Sequence, residues 1–469
     1  MPCEKTSWSI VYLMGIFSLI QNTQYSIYLT TMFAYLKKLN HSATESQFGF
    51  IMATSSLGHC LGCFALGYWN SRTGKSAHSM YIGFSLMLSS NIVYLLVEVT
   101  PVGMVMPLML ISRLLGGFGM GNSSPMRTCA SLHSTYSDRS KAMASLSGGR
   151  SVGTVIGPGL QLLFVPLGEQ GVHLVGGLSI HSNNAPAFLG IALTLFGILS
   201  LIILFDESTH ADSDEMAMCN DGGDLPHPDK IAMSICLLTR FVQNFMQISI
   251  ETLAPAILML MFLQSRQESV SSMATTYLIT GLIATLLYLL IIFTALSKYV
   301  RHKIINVLVL FLFVAHLLAT YPWQFLPNMG NVYSNETLTG CDFDKFTWCD
   351  GLTVPSEWLF YLGYIASFGL FMPFINVANA TLYSKLLNPD CQGTHQSLYD
   401  ISNTASRVFA PIVITTIYTL WGPRRAWEFI AIILLITATL WIIFDQRMMP
   451  IKPIEKTQFN ENEAFKEEA

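Results

Sequence analysis

Long apolar runs alternate with short polar breaks along the whole chain. The runs fall at approximately 8–36, 47–70, 78–98, 103–127, 141–165, 186–205, 231–263, 273–296, 304–321, 358–384, 399–420 and 427–444. A helix that crosses a bilayer needs about 20 apolar residues, with ~17–25 the usual range, and the longer runs leave room to tilt. The first run is longer than the apolar core of a signal peptide, and no small-residue cleavage site follows it. The pattern therefore predicts a retained first helix and an all-α membrane protein with twelve crossings.

Composition agrees. Of 469 residues, 52% are hydrophobic and 12% charged, a charged share about half that of a soluble domain. The net charge is −4 and no basic stripe is present, which excludes nucleic acid as a partner. The partner implied is the lipid bilayer. No nucleophile–base pair stands out, and His59, His316 and His395 lack ligand spacing. Cys60-Leu-Gly-Cys63 has redox-motif spacing but sits in an apolar run without further ligands. Neither an enzyme, a cofactor nor a metal is expected.

Charge placement predicts orientation. Arg72, Lys75, Arg139, Lys141, Lys298, Arg301, Lys303 and Lys385 occupy one set of loops, against Lys37, Lys38, Arg266, Lys345, Arg424 and Arg425 on the other. The richer side faces the cytosol, which puts both termini there. The sequons at Asn40 and Asn335 then lie in non-cytosolic loops, so both are candidate glycosylation sites. Cys341 and Cys349 share the longest of these loops, where an oxidising lumen favours a disulfide.

The runs also repeat in two sets of six. Residues 1–206 form one expected half and 230–446 the other. An acidic linker at 207–229 joins them, and a cytosolic tail occupies 447–469. The linker carries Asp212, Asp214, Glu215, Asp221 and Asp224 and lacks helical periodicity, as flexible connectors do. Val155-Ile-Gly157-Pro158 in the fifth run is echoed by Val408-Phe-Ala410-Pro411 in the eleventh.

Three motifs carry a resemblance. Gly67-Tyr-Trp-Asn-Ser71-Arg72-Thr-Gly74-Lys75 resembles the gating loop of major facilitator carriers, with Ser71 at the position the family fills with a carboxylate. Arg113-Leu-Leu-Gly-Gly117-Phe-Gly119 resembles the helix-4 motif. Gly149, Gly153, Gly157 and Pro158 resemble the helix-5 packing motif. The resemblance implies two six-helix bundles around a midplane site. Further runs resemble the lysosomal, ceroid-lipofuscinosis-type branch of that superfamily. They are Leu382-Tyr-Ser-Lys385-Leu-Leu, Gln392-Gly393, Ala405-Ser-Arg407-Val-Phe-Ala-Pro411, Trp421-Gly-Pro423-Arg424, Thr339-Gly-Cys341 with Trp348-Cys349, and Phe164 through Gly171. This closer resemblance implies a lysosomal or endosomal membrane, with the plasma membrane as the alternative, and permeation of a small anion such as chloride.

Ionisable residues inside a span are expensive and normally face a cavity or a partner. Arg113, Arg127, Arg150, Glu251 and Arg407 are the candidate pathway residues, with Arg240 and Asp400 beside them. For each arginine the alternative is a structural partner that holds helices together, and for Glu251 it is a salt bridge to Arg113. Cavity arginines lower the barrier for anions, whereas Glu251 beside the helix-breaking Pro255 suits proton exchange. Asn122, Gln161, Asn376 and Asn379 are candidate neutral donors or simple helix links. Three functions stay open: an anion conductor or carrier, a proton-coupled carrier of an organic solute, and a transport-inactive scaffold or sensor.

Overall fold

The structure, a computed structural model, describes residues 5–29, 31–40, 45–167, 172–173, 179–205, 229–294, 301–326, 340–341, 347–350, 352–387 and 392–448. The acidic linker, the end of the tail and Asn335 lie outside the described residues. The N-terminal helices are α1 (Trp8–Leu29), α2 (Met32–Leu39), α3 (Glu45–Thr73), α4 (Ser76–Leu96), α5 (Val102–Met120), α6 (Ser123–Leu132), α7 (Arg139–Leu162) and α8 (Ala185–Leu204). The C-terminal helices are α9 (Lys230–Leu260), α10 (Arg266–Phe293), α11 (His302–Ala319), α12 (Glu357–Tyr364), α13 (Met372–Leu386) and α14 (Gln392–Ile443). A two-stranded antiparallel pair, β1 (Val172–His173) and β2 (Ser179–Ile180), precedes α8. Among the described residues, nine helices are long and apolar enough to cross a membrane.

Several runs differ from their sequence outline. The first ends at Leu29 instead of reaching 36, and the short α2 follows it. α2 closes on Lys37 and Lys38, charges that belong at the membrane edge and not inside a crossing. The fourth run breaks between Met120 and Ser123, where Gly117, Gly119 and Gly121 depress helix propensity by about 1 kcal/mol each. The last two runs are continuous as α14, whose 52 residues would extend about 78 Å at 1.5 Å per residue. That is far beyond one ~30 Å hydrocarbon layer, and Gly422 divides it. Its φ of +80° is open to glycine and strained for other residues, and Pro423 then starts the final segment. Between α12 and α13, Ile365–Phe371 is wound as a π-helix.

Close approach of backbones organises the bundle. A Cβ placed on Gly149, Gly153 or Gly157 would fall within 2.1, 2.5 or 1.9 Å of Gly15 O, Leu19 O or Ser26 Oγ. The glycine stripe of α7 is therefore filled by α1. Ser26 Oγ adds a hydrogen bond to Gly153 O at 3.0 Å. α3 and α5 mesh likewise, since a Cβ on Gly62 would lie 2.1 Å from Phe118 O and one on Gly117 2.1 Å from Ser55 O. Small residues are the usual route to tight packing where lipid removes the hydrophobic drive between helices. Apolar side chains such as Phe196, Ile202, Ile203, Ile436 and Ile443 point outwards, as a lipid-facing surface requires.

Between α11 and α12, the buried Cys341 and Cys349 form a disulfide with Cα atoms 5.8 Å apart and pack against the helix core. Asn40 stands at the C-terminal cap of α2.

Candidate functional site

Arg113 projects from α5 into a box of aromatic and amide side chains. Its guanidinium carbon lies 4.0 Å from the Tyr28 ring centroid and 5.1 Å from that of Tyr94. Arg113 makes no ion pair among the described residues, and its buried Nε has no hydrogen-bond partner. Two desolvated aromatic faces stabilise a cation by about 2 kcal/mol or more but do not neutralise it. The rings are fixed in turn: Tyr28 Oη donates to Asn91 Oδ1 (2.6 Å), Asn91 Nδ2 to Gln24 Oε1 (3.2 Å), and Gln24 Nε2 to Thr194 Oγ1 (2.9 Å). Arg113, Gln21, Gln24, Asn91, Ser55 and Ser90 line a cavity of about 30 Å³, enough for one or two waters. No carboxylate lines it. Glu251 is not the partner of Arg113. It accepts hydrogen bonds from Tyr364 Oη and Gln247 Nε2, both at 2.9 Å.

A second group of arginines surrounds Asp400 on α14. Arg127 of α6 donates to Asp400 Oδ1 at 2.9 Å, with both side chains almost fully buried. Arg240 lies over Tyr399 and donates to Asn376 Oδ1. Arg150 of α7 is within electrostatic range of Asp400, Arg127, Arg240 and Arg407. Arg407 lies 5.8 Å from the ring centroid of Tyr25, which also lines the Arg113 cavity. One carboxylate thus serves several guanidiniums, and Arg150 makes no ion pair among the described residues. The structure brings Arg127, Arg150 and Arg407 into one cluster and sets Arg113 beside it.

The N-terminal and C-terminal helices are sealed together at one end of the bundle. Ser124 and Ser397 hydroxyls meet at 2.7 Å, and those of Ser131 and Ser384 at 2.6 Å. Thr394 Oγ1 donates to Ser71 Oγ at 2.8 Å. A Cβ on Gly67 would fall 1.5 Å from Ser397 Oγ, so this glycine admits α14. Gly74, with φ +66°, ends α3 and turns the chain into α4. Arg72 donates to Tyr68 Oη within its own helix, and Lys75 is exposed. The 67–75 segment thus reaches across through the Ser71 hydroxyl instead of a carboxylate.

The candidate amides mostly link helices. Asn122 Nδ2 donates to Met80 O, Asn379 Nδ2 to Cys236 O and Gln161 Nε2 to Ser182 O. Sequence reasoning passed over Tyr25, Tyr28, Tyr94 and Tyr399, which face the arginines. Tyrosines on apolar helices at the same depth as an arginine were the available signal. His59, set aside in the sequence because it lacks ligand spacing, has its ring between Thr404 Oγ1 (3.3 Å) and Ser123 Oγ (3.5 Å).

The sequence profile of the Major Facilitator Superfamily matches residues 11–333. A curated relative, major facilitator superfamily domain-containing protein 8 of Xenopus laevis, is 25% identical over 464 residues, covering 91% of this chain and 88% of that protein. Among solved structures, the human organic anion transporter MFSD10 (TETRAN) superposes with a TM-score of 0.62 at 15% identity, over 92% of this chain and 99% of that one. The transporter FucP in its outward conformation gives 0.64 at 14% identity, over 94% and 98%. Both share the fold. With its apolar helices, glycine-packed bundle and buried polar interior, this chain belongs to the Major Facilitator Superfamily and is a multi-pass membrane protein that transports a small solute.

Proposed function

We propose that the protein moves a small anion, of which chloride is the simplest, through a central cavity across an endolysosomal membrane. The observation that carries this reading is the excess of guanidinium over carboxylate inside the bundle. Arg127, Arg150 and Arg240 are gathered around Asp400, Arg407 is within electrostatic range of Arg150 and of Glu251, and Arg113 occupies a cavity whose described lining holds no acid, so five guanidiniums face two carboxylates. Uncompensated buried charge is costly, and a mobile anion supplies the missing counter-charge. A cationic interior also raises the barrier to cations. The address rests on the resemblance carried by Ala405–Pro411 and Trp421–Arg424.

In the same reading the chain crosses the membrane twelve times with both termini cytosolic. The nine long helices contribute ten crossings once α14 is divided at Gly422. α1 and α7, of 22 and 24 residues, supply the other two. The halves 1–206 and 230–446 then rock about the arginine cluster, and the sealed end at Ser71, Ser124, Ser397 and Ser384 is cytosolic.

One observation favours a second reading. Glu251 is held by Gln247 and by Tyr364, and Tyr364 immediately precedes a π-wound segment, a geometry that recurs at functional sites. A carboxylate without a bonded arginine suits proton exchange, so a proton-coupled carrier is the alternative. Patch-clamp recording of enlarged endolysosomes, with anion replacement and a pH step, separates the two. Current that follows the anion at constant pH supports conduction. Flux that requires a proton gradient and fails in Glu251→Gln supports coupling.

A further inference from the structure

At the sealed end, an arginine, a lysine and a histidine from three helices meet on one side of the bundle. Arg139 opens α7, His302 opens α11 and Lys385 closes α13. Arg139 spans the seam: Nη1 donates to Ser384 Oγ at 3.0 Å and Nη2 to Ser134 O at 3.2 Å. Lys385 Nζ sits 4.1 Å from the ring centroid of Tyr136. His302 Nε2 lies 3.4 Å from Ser140 Oγ on α7. Lys385 is within electrostatic range of both Arg139 and His302.

No carboxylate balances this group among the described residues. Asp138, next to Arg139 in sequence, accepts from Thr6 Oγ1 (2.8 Å) and Thr135 Oγ1 (3.2 Å) instead. Asp445 takes Lys303 at 3.2 Å. Meanwhile Arg139 Nε and His302 Nδ1 are buried without a hydrogen-bond partner. Buried nitrogens of this kind normally find an acceptor. All three residues lie at helix ends, where a membrane-crossing helix meets the headgroup layer. Tyr136 and Trp8, the latter 5.9 Å below Lys141 Nζ, are the side chains that favour that depth. Basic pockets between membrane helices take up phosphate-bearing headgroups.

We propose that Arg139, His302 and Lys385 form a binding site for a phosphate group, that of an anionic phospholipid, which ties α7 to α11 and α13 across the seam. A phosphate supplies acceptors for the unpartnered nitrogens and joins N-terminal to C-terminal helices. The bound lipid therefore holds this end closed. The site is separate from the arginine cluster and does not depend on which solute is carried.

The test follows thermal unfolding of the full chain in nanodiscs of phosphatidylcholine, with and without phosphatidylinositol phosphate. A parallel arm adds free inositol phosphate to the neutral discs. The expected result is a rise in unfolding temperature with the anionic lipid. Lys385→Gln should need about fivefold more lipid for half the rise, since one basic residue near an anionic surface is worth ~1 kcal/mol. Lys385→Arg should keep the response, which separates charge from packing, and His302→Gln should weaken it. A rise with free inositol phosphate and none with the lipid assigns the same residues to a soluble phosphate compound. An equal rise in wild type, Lys385→Gln and His302→Gln, or no rise in either arm, overturns the site.

Discussion

Arg113 and Arg127 lie on the same stretch of chain and are both buried, yet they are compensated in opposite ways. Arg127 has Asp400 at 2.9 Å, a partner from the other end of the sequence. Arg113 has two tyrosine faces, an amide network and a cavity. The first arrangement satisfies the charge internally and joins distant helices. The second stabilises the cation without cancelling it, which leaves an electrostatic demand for something from outside. Burial alone therefore does not mark an intramembrane arginine as part of the pathway. The identity of its partner does.

The largest expected effect tests the paired member. Arg127→Gln removes the bonded partner of Asp400, and Asp400→Asn also strips Arg150 and Arg240 of their shared carboxylate; breaking a buried pair costs roughly 3–5 kcal/mol. Either variant should unfold at a much lower temperature in detergent, measured by tryptophan fluorescence. The double variant Arg127→Gln/Asp400→Asn should lose clearly less than the sum of the two single losses. If the two losses simply add in the double variant, the ion pair is not what joins these helices.

Arg113→Gln should show the reverse pattern. Its folded state loses cation–π stabilisation of about 2 kcal/mol or more but is relieved of an uncancelled buried charge, while anion flux falls at least about tenfold, equivalent to ~1.4 kcal/mol of barrier. Arg113→Lys sharpens the point, because a point charge serves chloride whereas an oxyanion needs the planar bidentate fork. Normal flux in well-folded Arg113→Gln protein would make this arginine a packing element like Arg127.

A smaller effect is expected at the seal. Ser71 Oγ accepts one hydroxyl hydrogen bond from Thr394, worth about 1 kcal/mol net. Ser71→Asp should offer Thr394 a stronger acceptor and shift the equilibrium towards the state closed at this end. Cysteine labelling from the two sides of the membrane reads that shift, and identical labelling of variant and parent counts against it. The smallest functional effect belongs to the orientation. Asn335→Gln should abolish one glycosidase-sensitive band shift without altering flux. Cleavage of the 327–339 loop by a protease on the cytosolic side of intact vesicles would reverse the topology.

Much of this was legible in the sequence, unevenly. The apolar runs mark where helices lie because length and hydropathy are local properties. The glycine stripe on α7 was readable for the same reason: a spacing of four residues puts Gly149, Gly153 and Gly157 on one face, and α1 fills it. The breaks after Leu29 and at Gly121 were hidden inside continuous apolar runs. Partners were least legible, because they are set by packing between residues hundreds of positions apart. Asp400 stood out as a deep carboxylate, but nothing local pairs it with Arg127. Glu251 is bonded to Tyr364 and Gln247 and not to Arg113, since the helix that carries it turns its carboxylate towards α12. The tyrosines beside the arginines read as ordinary apolar positions until the helices were assembled.

The central claim is that guanidinium charge around Asp400 attracts a mobile anion. Its most direct test is anion-replacement patch-clamp of endolysosomes carrying wild-type protein, Arg150→Gln or Arg407→Gln. Arg150 makes no ion pair among the described residues and Arg407 lies over Tyr25, so glutamine at either position should leave the fold and its localisation intact. The account predicts an anion-dependent current in wild type that falls at least about tenfold in each variant. Unchanged currents in folded, correctly localised Arg150→Gln and Arg407→Gln protein would contradict it.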